Sequence, residues 1–400
     1  MNHSISNFLL IEGTDFTRPI YGSGNATVVS SIMRGFAGRV SLVGVTSEPS
    51  HVLGKWTTVE AFGNCYNFLP IAASKQMLRP VTRSSNLDLA LALYKYRGAI
   101  QDAPTRKVLT RTYSILWALN KIPAKWDVCF YFPGLGNPML VGRKASLTKH
   151  FAKLYSYLQA RALRKYVTMA YAAASASEVH NYNSFLTQKG VQIRVQPLPT
   201  AVDTSTVHPF PKEKARSALS FPQDALIICF VGRLAKVKGI PLLIDAFRYV
   251  REQSPREALF LLAGDGELRP ELEANIAKEG LSESVHFLGM LPKKDLVKVI
   301  ATSDVCVVGS YTEGFSNAML EQLAVGKPIV STDVSGASDI IRDGVNGFIV
   351  TSRDPNVFGR HVIEAAKLTG TQKYNLKLVR EKYSEAIQWR RISDDWLDRT

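Results

Sequence analysis

Short apolar runs alternate with longer segments of helical period along the whole chain, which is typical of βαβ units and parallel sheets. Within the first 200 residues, the runs at 7–11, 40–45, 128–132, 167–170 and 193–196 predict strands. The segments 87–97, 113–120 and 146–166 predict helices. We therefore expect an α/β fold.

A second set of strands follows the segment 197–211, which is rich in proline and threonine and marks the domain junction. These strands are predicted at 226–231, 259–263, 285–288, 305–308 and 328–331, and the chain after Phe358 is mostly helical. Trp389 and Trp396 near its end are too apolar to stay unpacked. The expected domains are 1–198 and 199–375, with a helix at 376–400 that packs back on the N-terminal domain.

Length and composition favour a two-domain protein of the cytoplasm. The chain has 400 residues, which is longer than a domain built on a single hydrophobic core usually is. It has no basic leader followed by a long apolar run, and no apolar stretch approaches the roughly 20 residues of a membrane-spanning helix. The four cysteines at 65, 129, 229 and 306 lack metal-ligand spacing, which predicts reduced core thiols.

The positive charge is concentrated in one half of the chain. Residues 1–200 hold 23 Lys and Arg against 8 Asp and Glu, which accounts for the whole net charge of +15. Such a field attracts phosphates, nucleic acid or anionic lipid, although a solvated surface has the same composition. No nucleic-acid-binding module is recognisable, so we do not expect nucleic acid as a partner.

A strand-to-helix turn after residues 226–231 carries the first candidate site. It places Gly232 and Arg233 at the strand end and Lys238 at the start of the next helix. Free N–H groups and the positive end of a helix meet at such a junction, which suits a phosphate. A plain glycine turn with solvated cations is the alternative.

Two glutamates separated by seven residues form the second candidate site. If a helix starts near Ser316, Glu313 lies just outside it and Glu321 more than one turn inside. Carboxylates accept hydrogen bonds from sugar and ribose hydroxyls, so the two acids could hold different parts of one extended ligand. Stabilisation of the helix dipole by Glu313 and solvent exposure of Glu321 are the alternatives.

The order of these motifs resembles the retaining glycosyltransferases of family four. That family has a strand ending in Gly-Arg, a nearby Lys-Gly, an Ala-Gly-x-Gly turn, a short base-binding strand and a pair of glutamates separated by seven residues. The resemblance is close over residues 195–350. It implies the GT-B architecture, in which two Rossmann-like domains face a central cleft and the C-terminal helix crosses back.

By this resemblance, Arg233 and Lys238 hold the diphosphate of a UDP or GDP sugar, and Glu313 contacts the transferred hexose. Glu321 binds the ribose. The other implied donor-binding residues are Gly22, Gly24, Gly232, Gly264, Gly266, Phe287, Leu288, Phe315, Ser316 and Asn317. Because basic side chains neutralise the pyrophosphate, no metal and no cofactor are expected.

The N-terminal half resembles the family less. Segment 126–138 lacks the histidine that many relatives place near the transferred sugar, so the acceptor-side residues stay open. The basic stretch 143–165 spaces Leu147, Phe151, Leu154 and Leu158 as one helical face. That helix could lie on an anionic membrane surface, but packing on the sheet is the favoured interpretation.

The resemblance thus implies a metal-independent hexosyltransferase that acts by front-face substitution, with retention, on a glycan or lipid-linked acceptor. Surface polysaccharide biosynthesis, in the cytoplasm or at the inner face of the membrane, is the expected context. A sugar-nucleotide epimerase, a phosphorylase and a non-catalytic nucleotide-sugar-binding subunit remain alternatives.

Overall fold

The structure is a computed structural model that describes residues 6–18, 20, 24–74, 85–135 and 152–399. The chain divides into two compact units, one formed by residues 1–199 with 388–400 and the other by residues 200–387. Among the described residues, no helix combines the length and apolar character needed to cross a bilayer.

The first unit is built on one sheet. Its described strands are Phe8–Asp15 (β1), Val40–Thr46 (β2), Thr57–Ala61 (β3), Asn64–Ala73 (β4), Lys107–Thr110 (β5), Asp127–Phe132 (β6), Val167–Ala172 (β7) and Val195–Pro197 (β8). The strand order is β3-β4-β2-β1-β5-β6-β7-β8, and β3 pairs antiparallel with β4 while the other pairs are parallel. Parallel strands are covered on both faces, which explains their continuous apolar runs.

Helices cover this sheet. Those described are Gly24–Gly35 (α1), Ser85–Lys95 (α2), Arg97–Gln101 (α3), Tyr113–Leu119 (α4), Ala152–Tyr166 (α5) and Ala176–Gln188 (α6). Leu9 and Ile11 of β1 are fully buried in a core to which α2, α4 and α5 contribute Leu93, Ile115 and Leu163. This core places the carboxyl ends of β1 and β5 side by side.

The second unit is a six-stranded parallel sheet. Its strands are Leu226–Val231 (β9), Ala258–Ala263 (β10), Val285–Gly289 (β11), Val305–Val308 (β12), Ile329–Thr332 (β13) and Gly347–Val350 (β14), in the order β11-β10-β9-β12-β13-β14. Its helices are Lys212–Ala218 (α7), Ile240–Gln253 (α8), Arg269–Lys278 (α9), Lys293–Thr302 (α10), Asn317–Val325 (α11), Ala337–Ile340 (α12), Pro355–Ala365 (α13) and Thr371–Leu378 (α14). The strands predicted from the sequence are all present, most of them within a residue or two of the predicted bounds.

The last helix, Glu385–Ile392 (α15), leads the chain back into the first unit. The indole N–H of Trp389 donates to Ser31 Oγ at 3.1 Å, and that of Trp396 donates to Asp127 Oδ1 at 2.8 Å. The Trp396 ring also lies 5.8 Å from the Phe8 ring. Both tryptophans are buried, as the sequence predicts.

Four strands were absent from the sequence prediction. β3 and β4 form a hairpin in which the side chains of β3 alternate between half-buried and exposed, so β3 lacks the apolar run of a central strand. β5 and β14, of four residues each, were also absent from the prediction.

Two finer predictions were wrong. Cys65 lies at the exposed start of β4 and is no core thiol, whereas Cys129, Cys229 and Cys306 are buried. In α5, Leu158 is 38% exposed, and the buried side is formed by Ala160, Ala162 and Leu163. The helix packs on the sheet as favoured, but Leu158 of the predicted face is only partly covered; residues 143–151 lie outside the described residues.

Candidate active site

The strand order of the second sheet reverses between β9 and β12. From β9 the chain adds β10 and β11 on one side and then β12 and the later strands on the other. Ligands of open α/β sheets bind outside the carboxyl ends of the strands at such a point. Both candidate segments predicted from the sequence begin here, residues 232–239 after β9 and residues 309–316 after β12.

Glycines let the turns at this edge touch backbone to backbone. A Cβ on Gly264, which has φ +142°, would lie 1.9 Å from the carbonyl oxygen of Gly232. A Cβ on Gly239, with φ +62°, would lie 2.0 Å from the carbonyl oxygen of Gly309. Both distances are far inside van der Waals contact, so only glycine fits at these two positions without a shift of the neighbouring turn.

Lys238 and Glu313 are brought together. The Lys238 ammonium, at the end of a 3-10 turn, lies 2.5 Å from Glu313 Oε1, and Ser310 Oγ donates to the same oxygen at 2.7 Å. The side chains of the pair are 24% and 11% exposed. This partly dry pair of a cation and an acid lies at the point where the strand order reverses.

Glu321 has a different partner. It lies inside α11 with its side chain 9% exposed, and the ammonium of Lys293, the first residue of α10, contacts its carboxylate. An unpaired carboxylate at this depth would be costly, so the ion pair with Lys293 offsets much of the free-energy cost of burying the charge. The two glutamates therefore occupy separate environments, as their spacing predicts.

Helix α11, which follows Glu313 and contains Glu321, starts where the sequence predicts. Ser316 is the N-cap of α11, and its Oγ accepts a hydrogen bond from the Met319 N–H at 3.4 Å. Phe315 is buried against the ring of Tyr383, with 5.8 Å between ring centroids. Asn317 Oδ1 is buried and has no hydrogen-bond partner among the described residues. The positive end of the helix dipole thus follows directly after Glu313.

The remaining predicted residues lie at the ends of neighbouring strands. Arg233 is exposed two residues beyond β9. Gly266 belongs to the turn after β10, and Phe287 and Leu288 are half-buried in β11. In the first unit, Gly24 begins α1, while Gly22 lies outside the described residues.

Three side chains that build this site were not predicted from the sequence. Two of them are Lys293 and Ser310, described above. The third is Arg353, whose guanidinium donates to the carbonyl oxygens of Gly309 and Ser310, at 2.7 Å each. Its guanidinium also lies 4.3 Å from the centre of the Tyr311 ring. Arg353 follows β14, at the far end of the sheet, and no spacing in the sequence connects it with residues 309–311.

Comparison with known proteins gives a family for the second unit. The chain matches the family described as "Glycosyl transferases group 1" over residues 211–383. Residues 211–383 form a glycosyl transferases group 1 domain. The site at the carboxyl ends of β9 and β12 lies wholly inside this domain.

Curated relatives match a part of the chain. A D-inositol 3-phosphate glycosyltransferase of Nocardia farcinica is 32% identical over 167 residues, which cover 40% of this chain and 37% of that protein. Another, of Corynebacterium urealyticum, is 34% identical over 152 residues, 36% of each chain. The matches thus span little more than a third of the length of these relatives.

Solved structures match nearly the whole chain. Sucrose-phosphate synthase of Thermosynechococcus elongatus superposes with a TM-score of 0.74 at 17% identity, covering 97% of this chain and 98% of that one. Alr3699/HepE of Anabaena, in complex with UDP and glucose, superposes with a TM-score of 0.68 at 16% identity, covering 98% and 99%. The predicted GT-B fold class with two parallel-sheet domains is confirmed.

Proposed function

We propose that this protein is a retaining glycosyltransferase that moves a hexose from a UDP sugar to a hydroxyl group of a glycan or lipid-linked acceptor. The observation that carries the proposal is the Lys238–Glu313 pair, joined by Ser310, at the strand-order reversal of a group 1 domain. The complexes of Alr3699/HepE with UDP and UDP-glucose support this donor class.

Lys238 and Arg233 are assigned to the donor diphosphate. Arg233 is exposed beside the turn after β9, and Lys238 is held near the same edge by Glu313. When a diphosphate binds, the ammonium exchanges part of its contact with Glu313 for phosphate oxygens. This exchange frees the Glu313 carboxylate to accept a hydrogen bond from a hexose hydroxyl. Glu321 is assigned to the ribose, with Lys293 orienting its carboxylate.

The reaction needs no enzyme nucleophile in this assignment. The bond between the anomeric carbon and the donor β-phosphate oxygen breaks, and the acceptor oxygen forms a bond to the same carbon on the same face. The acceptor proton passes to a phosphate oxygen of the departing UDP. Lys238, Arg233 and the positive end of α11 stabilise the charge on that diphosphate, which is electrostatic preorganisation. The proposed reaction uses no metal and no cofactor.

A panel of nucleotide sugars tests the donor assignment. UDP, GDP and ADP with their glucose, galactose and mannose derivatives are titrated in a thermal-shift assay, and release of free sugar is followed by chromatography. We expect UDP compounds to raise the melting temperature and UDP sugars to be hydrolysed slowly. Isomerised donor, sugar phosphate formation, or binding without turnover would instead indicate an epimerase, a phosphorylase or a non-catalytic subunit.

Two variants test the residue roles. Lys238→Ala should weaken UDP binding about 10- to 100-fold, because a charge-assisted hydrogen bond contributes about 1.5–3 kcal/mol. Glu313→Gln should leave UDP binding near normal and lower turnover at least 100-fold. Lys236→Ala and Glu267→Gln, which change exposed side chains nearby, are the matched controls. Normal turnover in both site variants would reject the assignment.

The first unit presents a surface suited to an anionic membrane. We propose that the protein binds the inner face of the membrane through this surface. Helices α2, α4 and α5 pack side by side. Six large apolar side chains on them are 37–50% exposed: Leu87, Leu91, Tyr94, Trp117, Tyr157 and Leu158. Exposed cations on or beside the same helices are Lys95, Arg97, Arg161, Arg164 and Lys165. Apolar side chains among cations favour binding to anionic lipid.

Vesicle sedimentation tests this location. The protein should sediment with vesicles of phosphatidylcholine containing 30% phosphatidylglycerol, and much less with phosphatidylcholine alone. The double change Tyr157→Ser and Leu158→Ser should reduce binding, whereas Val52→Ser, at an exposed apolar residue elsewhere in the unit, should not. Equal sedimentation with both kinds of vesicle would contradict the assignment.

A further inference from the structure

The first sheet has a strand-order reversal of its own, between β1 and β5. From β1 the sheet continues to β2 and β4 on one side and to β5, β6 and β7 on the other. Glu12 lies near the carboxyl end of β1, and Arg111 directly follows β5. By the same rule as in the second sheet, this edge is where the first unit binds a ligand.

Arg111 is a buried cation without an acid in contact. The residue is 7% exposed, and in the described part of the chain its guanidinium makes one hydrogen bond, to the amide oxygen Oδ1 of Asn25. Its Nε has no partner there, and no described carboxylate forms an ion pair with the guanidinium. The guanidinium lies 5.2 Å from the centre of the Tyr131 ring, which supports it from within the sheet.

Glu12 is an acid whose charge acts on Arg111, but its carboxylate forms no ion pair with the guanidinium among the described residues. Its carboxylate accepts a hydrogen bond of 2.6 Å from the backbone N–H of Arg111 rather than from the guanidinium. Burial raises the pKa of Glu12 to about 7, while the charge and backbone N–H of Arg111 and the Thr112 hydroxyl oppose that rise. Near neutral pH the carboxyl therefore keeps a proton in a large fraction of molecules, and in those molecules no ionised Glu12 carboxylate offsets the positive charge of Arg111.

A buried guanidinium without a counter-ion is costly, and an anionic ligand supplies what the fold leaves out. We infer that Arg111, with Asn25 beside it, binds a phosphate or carboxylate group of the acceptor at the carboxyl edge of the first sheet. That this ligand is the acceptor rests on the proposed function, whereas the anion site itself does not. The planar fork of a guanidinium matches the oxygens of either group in pairs, which is the geometry such ligands select.

The ligand could carry its phosphate in two ways, as a small phosphorylated sugar or as a lipid-linked diphosphate. Inorganic phosphate, glucose 6-phosphate and farnesyl diphosphate are the probes, and glucose is the neutral control. Binding to the full chain is followed by tryptophan fluorescence, because Trp56, Trp117, Trp126, Trp389 and Trp396 all lie in the first unit. The tighter of the two organic probes identifies the source of the anion.

We expect Arg111→Gln to weaken binding of the phosphorylated probes about 10- to 100-fold and Arg111→Lys to weaken it about tenfold. Arg106→Gln makes the same charge change on an exposed residue just before the amino end of β5 and should leave binding unchanged. If Arg111→Gln does not fold, the Lys variant decides. The inference is overturned if wild type binds none of the anions, if glucose binds as tightly as glucose 6-phosphate, or if the Arg111 variants bind normally.

UDP binding is measured on the same samples. It should be equal in wild type and in all three arginine variants, because those changes lie in the first unit. Anion binding that depends on Arg111, together with an absence of UDP binding, would reject the proposed function and keep the anion site. Normal UDP binding without any effect of Arg111 would do the reverse.

Discussion

Replacing Glu12 by glutamine should change how the stability of the first unit depends on pH. Burial raises the pKa of this carboxyl from 4.5 to about 7. Below pH 4.5 the group is protonated in both the folded and unfolded chain and adds no pH dependence. Between about pH 4.5 and 7 the unfolded chain releases the proton and the folded chain keeps it. The free energy of unfolding therefore falls by about 1.4 kcal/mol per pH unit over this range.

The rise of the Glu12 pKa from 4.5 to about 7 corresponds to a total loss of about 3 kcal/mol, which is complete above pH 7. The amide that replaces the carboxyl in Glu12→Gln cannot titrate, so the stability of wild type minus that of the variant should fall by about 3 kcal/mol from pH 4 to pH 8. Any pH-independent cost of the substitution cancels in this comparison. The effect is large for a protein whose total stability is of the order of 10 kcal/mol.

Urea unfolding followed by tryptophan fluorescence measures this difference, because all five tryptophans report on the first unit. Glu60→Gln, the same chemical change on an exposed residue of β3, is the matched control and should run parallel to wild type. Parallel pH profiles for wild type and Glu12→Gln would refute the reasoning, since they would mean that Glu12 titrates alike in both states.

Three further predictions concern the second unit, whose unfolding is seen in far-UV circular dichroism without a tryptophan change. Gly264→Ala should cost about 3 kcal/mol or more, whereas Gly280→Ala, at φ +67° with open space around it, should cost only about 1–2 kcal/mol; equal losses would contradict the steric argument. Arg216→Met should cost about 3–5 kcal/mol because it removes the buried guanidinium that pairs with the buried Asp304 carboxylate, whereas Lys212→Met, on the same acid but 39% exposed, should cost below about 1 kcal/mol. Burial lowers the pKa of Lys327 from 10.5 to about 8, so the stability of wild type relative to Lys327→Met should rise by about 3 kcal/mol from pH 8 to 10.5; a flat difference would rule this out.

The candidate site could be predicted where the chemistry is local. The strand ending at Val231 with a glycine after it, and the helix that starts after Ser316, follow from apolar runs and capping residues within about ten positions. The spacing of Glu313 and Glu321 also predicted that they lie in different environments, because it places one outside the helix and one inside.

Side-chain partners could not be predicted, because they depend on which strands become neighbours. Lys293 is 28 positions from Glu321, and nothing in the sequence joins them before the sheet is assembled. The same holds for the first unit. No spacing in the sequence singles out Arg111, because its place at the reversal of strand order is set by the pairing of β1 with β5. One signal was present, since Glu12 is an acid that directly follows the apolar run 8–11.

The return of residues 388–400 to the first unit also sets an order of events during synthesis. The ribosome must add all of residues 200–387 before the segment bearing Trp389 and Trp396 exists. At 5–20 residues per second this takes about 10–40 s. Throughout that interval the nascent first unit lacks the two tryptophan rings that later cover Phe8 and Phe36. The exposed apolar surface around these phenylalanines is where a chaperone that binds nascent chains would attach.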